Sequence, residues 1–188
     1  MSENQIKERI RQTCLCTRRG LSTEEQFAAS NKICVQIQGV KQYQQAKAIA
    51  LYSPIHGEID LSDLLHDQNK QKIFCFPIMH DKALSFLPTL TTTPFIKNKL
   101  GILEPDVSPV LAVTLMQLDI IFLPLVAFDM HGTRIGMGGG YYDRLLAERT
   151  NPLLIGVAYE FQKQPFIQPD PWDVNLDGVI TEKQIYWF

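Results

Sequence analysis

From residue 47 to residue 181 the chain repeats short apolar runs bounded by turn residues, and this alternation limits its fold more than any other feature. The runs cover residues 47–52, 72–76, 84–87, 119–123, 153–158 and 178–181. Each is rich in Ile, Leu, Val or Phe and too short for a buried helix, so each reads as a strand. Between them, residues 60–69 carry Leu61, Leu64 and Leu65 at helical spacing, and residues 140–149 carry Tyr142, Leu145 and Leu146 in the same way. Strands alternating with helices predict a three-layer α/β fold with a mostly parallel central sheet. In such sheets ligands bind beyond the carboxyl ends of the strands.

A helical hairpin is expected in front of the sheet. Ser2 is placed to cap a helix running to Arg19, with Ile6, Ile10 and Cys14 recurring every four residues and Gly20 as its stop. Lys7, Arg9, Arg11, Arg18 and Arg19 would then lie on its exposed faces. Ser22 and Glu25 form a capping-box pattern, and Phe27, Cys34 and Ile37 give a second amphipathic helix ending near Gly39. No repeat, low-complexity tract or linker divides the 188 residues, so residues 1–188 read as a single domain, with the proline-rich stretch 165–171 as a loop inside it.

The formal net charge of -2 provides no overall field to hold the protein on nucleic acid or an anionic membrane. Any anion it binds must be met locally. The polar start and the lack of a span-length apolar run predict a soluble cytoplasmic protein. Cys14, Cys16, Cys34 and Cys75 form no C-x-x-C pair, and Cys34 and Cys75 sit among apolar neighbours, which points to reduced, structural thiols. His56, His66, His80 and His131 lack the i, i+4 spacing of a helical zinc site.

Chemistry concentrates after the fourth apolar run. Residues 122–129 lead into a turn at Met130, His131 and Gly132, and the chain returns through Thr133, Arg134 and Ile135. Gly136, Met137, Gly138, Gly139 and Gly140 then open a helix with Tyr141, Tyr142 and Asp143. Glycines permit positive φ and leave amides uncovered, so successive N–H groups can converge on an anion at the start of the helix. There is no Gly-Lys-Ser/Thr of a P-loop, and Tyr141 stands where a G-x-G-x-x-G fingerprint counted from Gly136 needs its last glycine. Four glycines alone are equally compatible with a tight, flexible connection. Asp143 is equally open: a carboxylate in a helix's first turn is common, but beside a phosphate it calls for an intervening cation such as Mg²⁺.

The stretch from Pro124 to Asp129, followed by Gly132, Arg134 and the run Ile-Gly-Met-Gly-Gly-Gly-Tyr-Tyr-Asp-Arg ending at Arg144, closely resembles the signature of the 5-formyltetrahydrofolate cyclo-ligase family. The resemblance extends through Lys7 and Arg11, Ser22 to Glu25, Tyr52 to Ile59, Glu104-Pro105, and Trp172 to Thr181. It implies that Lys7 and Arg11, one helical turn apart, reach ATP. The implied ATP loop is Arg134, Ile135, Gly136, Met137, Gly138, Gly139, Gly140, Tyr141 and Tyr142. Implied magnesium ligands are Asp143 and Asp173, the latter flanked by Asp170 and Asp177. Folate contacts fall on Ser53, Glu58 and the loop from Met137 through Gly138, Gly139 and Gly140 to Tyr141. Some members carry basic side chains where Met137 and Gly139 stand, and many have glycine where Leu125 stands; here backbone amides are left as the donors.

The reaction implied by the resemblance is ATP- and Mg²⁺-dependent ring closure of 5-formyltetrahydrofolate to 5,10-methenyltetrahydrofolate by a monomeric enzyme. Two other classes stand beside it. One is a regulator that binds nucleotide or phosphate without turnover, and the other is an enzyme of the sugar-phosphate isomerase or CoA-transferase group, whose fold the family's resembles. ATP dependence separates the three.

Overall fold

The computed structural model describes residues 2–68, 71–81, 83–147 and 152–188. Two helices come first, α1 (Glu3–Arg19) and α2 (Thr23–Gly39), and both open on complete capping boxes, Ser2 with Gln5 and Ser22 with Glu25. Gly20 closes α1. A short α3 (Lys41–Gln45) leads into β1 (Ala48–Ala50), and a 3-10 turn at Ser62–His66 precedes β2 (Ile73–His80) and β3 (Ala83–Thr89). The hairpin β4 (Phe95–Lys97) and β5 (Leu103–Pro105) follows, then β6 (Ile120–Pro124), the small hairpin β7 (Ala127–Phe128) and β8 (Arg134–Ile135), and α4 (Tyr141–Leu146). The chain finishes with β9 (Leu153–Val157), β10 (Gly178–Ile180) and β11 (Ile185–Trp187).

Seven strands form one sheet in the order β11-β10-β9-β6-β1-β2-β3. The five inner strands are parallel, and antiparallel β3 and β11 form the two edges. Alternation along the strands divides the core. Ile49, Phe74, Phe76, Ile120, Phe122, Ile155 and Val157 pack beneath Ile33, Cys34 and Ile37 of α2. Ala50, Cys75, Ile121, Leu123, Leu154 and Val179 face Leu146 of α4, Leu118 and Phe128 on the other side. Strands buried on both faces explain why their runs are uniformly apolar.

The parallel strands run in spatial order β2-β1-β6-β9-β10, so the winding direction reverses between β1 and β6. A crevice opens outside the carboxyl ends of two strands whose connections depart to opposite faces. The segments leaving that point are residues 51–58 after β1 and Leu125 onward after β6.

All six expected strands form, and several finer expectations are corrected. Residues 60–69 make a single 3-10 turn at Ser62–His66 rather than a helix, with Leu61 and Leu64 buried, and Asn69 lies outside the described residues. The expected helix 140–149 is described over Tyr141–Leu146, its end at Arg149 lying outside the described residues. Ile6 and Phe27, read as core, are 44% and 65% exposed, because the inward faces of α1 and α2 are turned away from them. Arg18, read as part of a solvated basic face, is buried. Its helix packs on β7 and the loops around it rather than on an apolar sheet face, and the inward stripe is Lys7, Arg11, Cys14 and Arg18 at spacings of four, three and four. These four lie on one helix face, where Cys14, with Ile10 and Leu15 beside it, packs on Val126, Ala127, Ile135 and Ile167 while the three cations reach polar groups of the loops. The pattern of apolar residues alone does not reveal such a face.

Candidate functional site

The glycine loop hangs between β8 and α4. Gly138 and Gly140 adopt φ of 95° and 61°, conformations that favour glycine. Arg11 Nε donates to the Gly136 carbonyl at 3.0 Å and Arg144 to the Gly139 carbonyl at 2.9 Å, so two arginines hold the loop by its oxygens. Among the described residues, no protein acceptor receives the amides of residues 136–140. The loop thus presents free, exposed N–H groups, which is what an anion requires.

Two cation–carboxylate pairs flank it. Arg134, its side chain 7% exposed, pairs with Asp143 at 2.5 Å and also donates to the Val174 carbonyl. Lys7 meets Asp170 at 2.7 Å and Asp173 at 3.6 Å, while the Asp173 carboxylate accepts the Asp170 amide at 2.8 Å. Asp143 and Asp173 line one cleft of about 420 Å³ together with Gly140, Arg144, Trp172 and Val174. The fold therefore assembles Lys7, Arg11, Arg134, the glycines, Asp143 and Asp173 from three distant stretches of chain. Two carboxylates beside an amide-lined loop match how Mg²⁺ is held, by one or two carboxylates and phosphate oxygens. Among the described residues no group of three or more His, Cys, Asp or Glu is arranged to hold a metal ion.

Ser53 and Glu58 lie apart from that cleft, at the switch point. Ser53 Oγ donates to the Leu103 carbonyl at 2.5 Å, tying the end of β1 to β5. Glu58 is 9% exposed, receives the Ile55 amide at 3.0 Å and faces Arg18 at 3.5 Å. Burial pushes its carboxyl up to about 7, against the opposing pull of Arg18 and the Ile55 N–H. A folded-state value above the unfolded one makes this carboxyl stabilising below pH 4.5, a contribution lost as pH rises through about 7. Tyr142 connects the two regions. Its phenol is raised by burial and then by Glu58, with Arg134 pulling the other way, so the ring stands within electrostatic reach of both. Tyr141 reaches over the β2–β3 turn, its hydroxyl donating to the Asp81 carbonyl at 3.4 Å, and its ring carries the Arg144 guanidinium at 5.2 Å.

Asp129, Asp170 and Arg18 hold the site together but escaped the sequence reading. Asp129 is fully buried and takes three backbone N–H groups: His131 at 2.9 Å, Thr133 at 3.1 Å and Ile167 at 2.8 Å. It therefore joins the turn beneath the glycine loop to the segment that carries Asp170 and Asp173. Asp129 followed three residues later by Gly132 is a turn signature that reveals the local bonds but not the one to Ile167. Asp129→Ala leaves two buried donors and one part-buried donor without a partner, and urea denaturation is expected to show a loss of about 3 kcal/mol or more. A loss under about 1 kcal/mol would mean that water replaces the carboxylate.

These features define a doubly wound α/β protein with a glycine loop of exposed amides near its switch point. Residues 3–182 match the 5-formyltetrahydrofolate cyclo-ligase family. A 5-formyltetrahydrofolate cyclo-ligase of Haemophilus influenzae is 36% identical over 185 residues, covering 94% of this chain and 98% of that protein. Among solved structures, the 5,10-methenyltetrahydrofolate synthetase of Aquifex aeolicus superposes with a TM-score of 0.85 at 35% identity, over 97% of this chain and 92% of that one. The synthetase of Mycoplasma pneumoniae gives 0.73 at 30% identity, over 94% and 98%. The chain belongs to the 5-formyltetrahydrofolate cyclo-ligase family, and is an enzyme and a ligase. Among the described residues no helix is long and apolar enough to cross a membrane.

Proposed function

We propose that residues 1–188 act as one cytoplasmic cyclo-ligase domain that converts 5-formyltetrahydrofolate irreversibly to 5,10-methenyltetrahydrofolate, with ATP consumed to ADP and phosphate. The observation that carries this reading is the cleft that Gly140, Asp143 and Asp173 line together, with Arg134 paired to Asp143 and Lys7 beside Asp173. No side chain there is paired as a nucleophile with its base, so the site is built to position and neutralise charge.

In the proposed reaction the formyl oxygen attacks the γ-phosphorus of ATP and ADP departs. N10 then attacks the resulting imidate carbon, the five-membered ring closes, and phosphate leaves with the former formyl oxygen as the N10 proton is released. The amides of residues 136–140 hold phosphate oxygens, with Arg134 and Lys7 as the cations beside them. Arg11, bonded to the Gly136 carbonyl, keeps the loop in shape. Mg²⁺ held by Asp143 and Asp173 supplies charge neutralisation at the phosphates. Glu58, when ionised, accepts N–H groups of the pterin, with Ser53 beside it and Tyr141 offering a flat face to a ring. Met137 and Gly139 contribute through their backbones.

Ultraviolet absorbance of the methenyl product tests the proposal. Product should form from 5-formyltetrahydrofolate with MgATP and not when either ATP or Mg²⁺ is withheld. Folded protein that makes no ATP-dependent product overturns it.

A further inference from the structure

Arg18 is 1% exposed, its side chain more deeply buried than that of Arg134 at 7%. A buried guanidinium is costly unless every donor finds an acceptor, so its three contacts define what it is for. Nε donates to the His56 carbonyl at 3.0 Å, one Nη to the Leu125 carbonyl at 3.2 Å, and the other Nη to Glu58 Oε1 at 3.5 Å. The first contact fixes an unusual turn. His56 and Gly57 have φ of 51° and 75°, and a non-glycine residue at positive φ persists only where its surroundings over-determine it. The surroundings here are Arg18 on the His56 carbonyl, Tyr159 Oη on the Gly57 carbonyl at 3.0 Å, and the Glu58 side chain closing back on the Ile55 amide. Leu125, the second acceptor, is the first residue past β6, and its carbonyl also receives Gln162 Nε2 at 2.8 Å. Arg18 therefore spans the switch point, from the loop after β1 to the end of β6.

We propose that Arg18 is a positioning residue for folate binding: it holds the Glu58 carboxylate, and the left-handed turn before it, in the geometry that receives the substrate's N–H groups. The inference rests on Glu58 being the folate acceptor. The groups facing Glu58 are Arg18 from α1, Tyr52 from the end of β1, Tyr142 from α4 and Tyr159 from the segment after β9. Burial holds all three phenols neutral, which leaves Arg18 as the cation that opposes protonation of Glu58. Removing it both frees the turn and makes the ionised acceptor scarcer at neutral pH. Lys7 and Arg11 lie on the same helix face, so α1 serves the folate end and the phosphate end at once.

Steady-state kinetics between about pH 6 and pH 9 on the wild type, Arg18→Gln, Arg18→Lys and Glu58→Gln test this. Arg18→Gln should raise the folate KM about tenfold or more, the loss of one charge-assisted hydrogen bond, and leave the ATP KM within about twofold. The pH at which the folate KM improves should move up by about one unit. Arg18→Lys should restore that midpoint in part but not the KM, since one ammonium cannot serve three fixed acceptors. A folded Arg18→Gln protein with wild-type folate KM and pH midpoint overturns the proposal and leaves Arg18 purely structural. Should Arg18→Gln fail to fold, ¹⁵N-arginine-labelled wild type decides. The Arg18 Nε–H resonance should follow the Glu58 midpoint and lose that dependence in Glu58→Gln, and a resonance indifferent to pH overturns the proposal. A Glu58→Gln enzyme with wild-type folate KM removes the acceptor itself. It overturns the folate reading of Glu58, a failure told apart from the first because the resonance still titrates in the wild type.

Discussion

Gly138→Val is expected to weaken ATP binding by about 100-fold or more, measured by calorimetry, with the cooperative unfolding transition preserved. Gly138 has φ of 95°, and an added Cβ there meets no atom within 4 Å. The substitution therefore strains the backbone without pressing on the core. A β-branched residue is held out of this conformation, so the loop changes shape to relieve it and its amides no longer converge. Two lost amide-to-phosphate bonds, each worth about 1.5 to 3 kcal/mol, account for the size of the effect. Gly136→Ala is the matched control: its φ is ordinary and its Cβ meets open space, so ATP affinity should change little. Equal affinities for wild type and Gly138→Val would mean that side chains, not loop amides, hold the phosphates. Gly139 is a poorer probe, because its Cβ meets the Tyr141 ring at 2.7 Å and a change there moves a second candidate contact.

Asp143→Asn is expected to lower kcat/KM by about 100-fold, the scale of losing one electrostatic stabiliser of the transition state. The same variant should raise the Mg²⁺ concentration at half-maximal rate by about tenfold. The carboxylate pairs with Arg134 at 2.5 Å and shares a cleft with Asp173, so two roles compete: metal ligand and anchor for Arg134. Asparagine keeps the shape and one acceptor oxygen but not the charge, and magnesium dependence tells the roles apart. A ligand lost shifts the titration, whereas an anchor lost lowers the rate at every Mg²⁺ concentration. An unshifted titration would assign Asp143 to Arg134 and withdraw it from the metal. Asp173→Asn extends the comparison, although its proximity to Lys7 and its bond from the Asp170 amide make it less selective.

What could be read before the fold was known follows from how locally each feature is encoded. The cap at Ser2, the capping box at Ser22, the short apolar runs of the inner strands and the glycine loop between a returning strand and a helix all depend on residues within a turn or two of one another. Each set local dihedral preferences or a buried face, so the three-layer sheet and the place of the glycine loop were legible. The failures cluster where a polar element faces polar loops. Arg18 looked solvated because amphipathic reading expects an inner face to be apolar throughout, and α1 instead interleaves an apolar patch at Ile10, Cys14 and Leu15 with cations that reach carbonyls and carboxylates. Residues 60–69 had helical spacing, but the chain between β1 and β2 takes only a 3-10 turn.

The sequence alone determined the six apolar strand runs, the two N-terminal helices and where the amide loop falls, because those depend on periodicity and local backbone preference. Tertiary structure alone decided that Lys7 meets Asp170 and Asp173, that Asp129 reaches Ile167, and that Arg18 joins the ends of β1 and β6. These contacts link residues far apart in the chain, Lys7 and Asp170 by 163 positions. No local preference records them. The Arg18 contacts exist because the sheet's winding reverses between β1 and β6, which brings the loop after β1 against the end of β6.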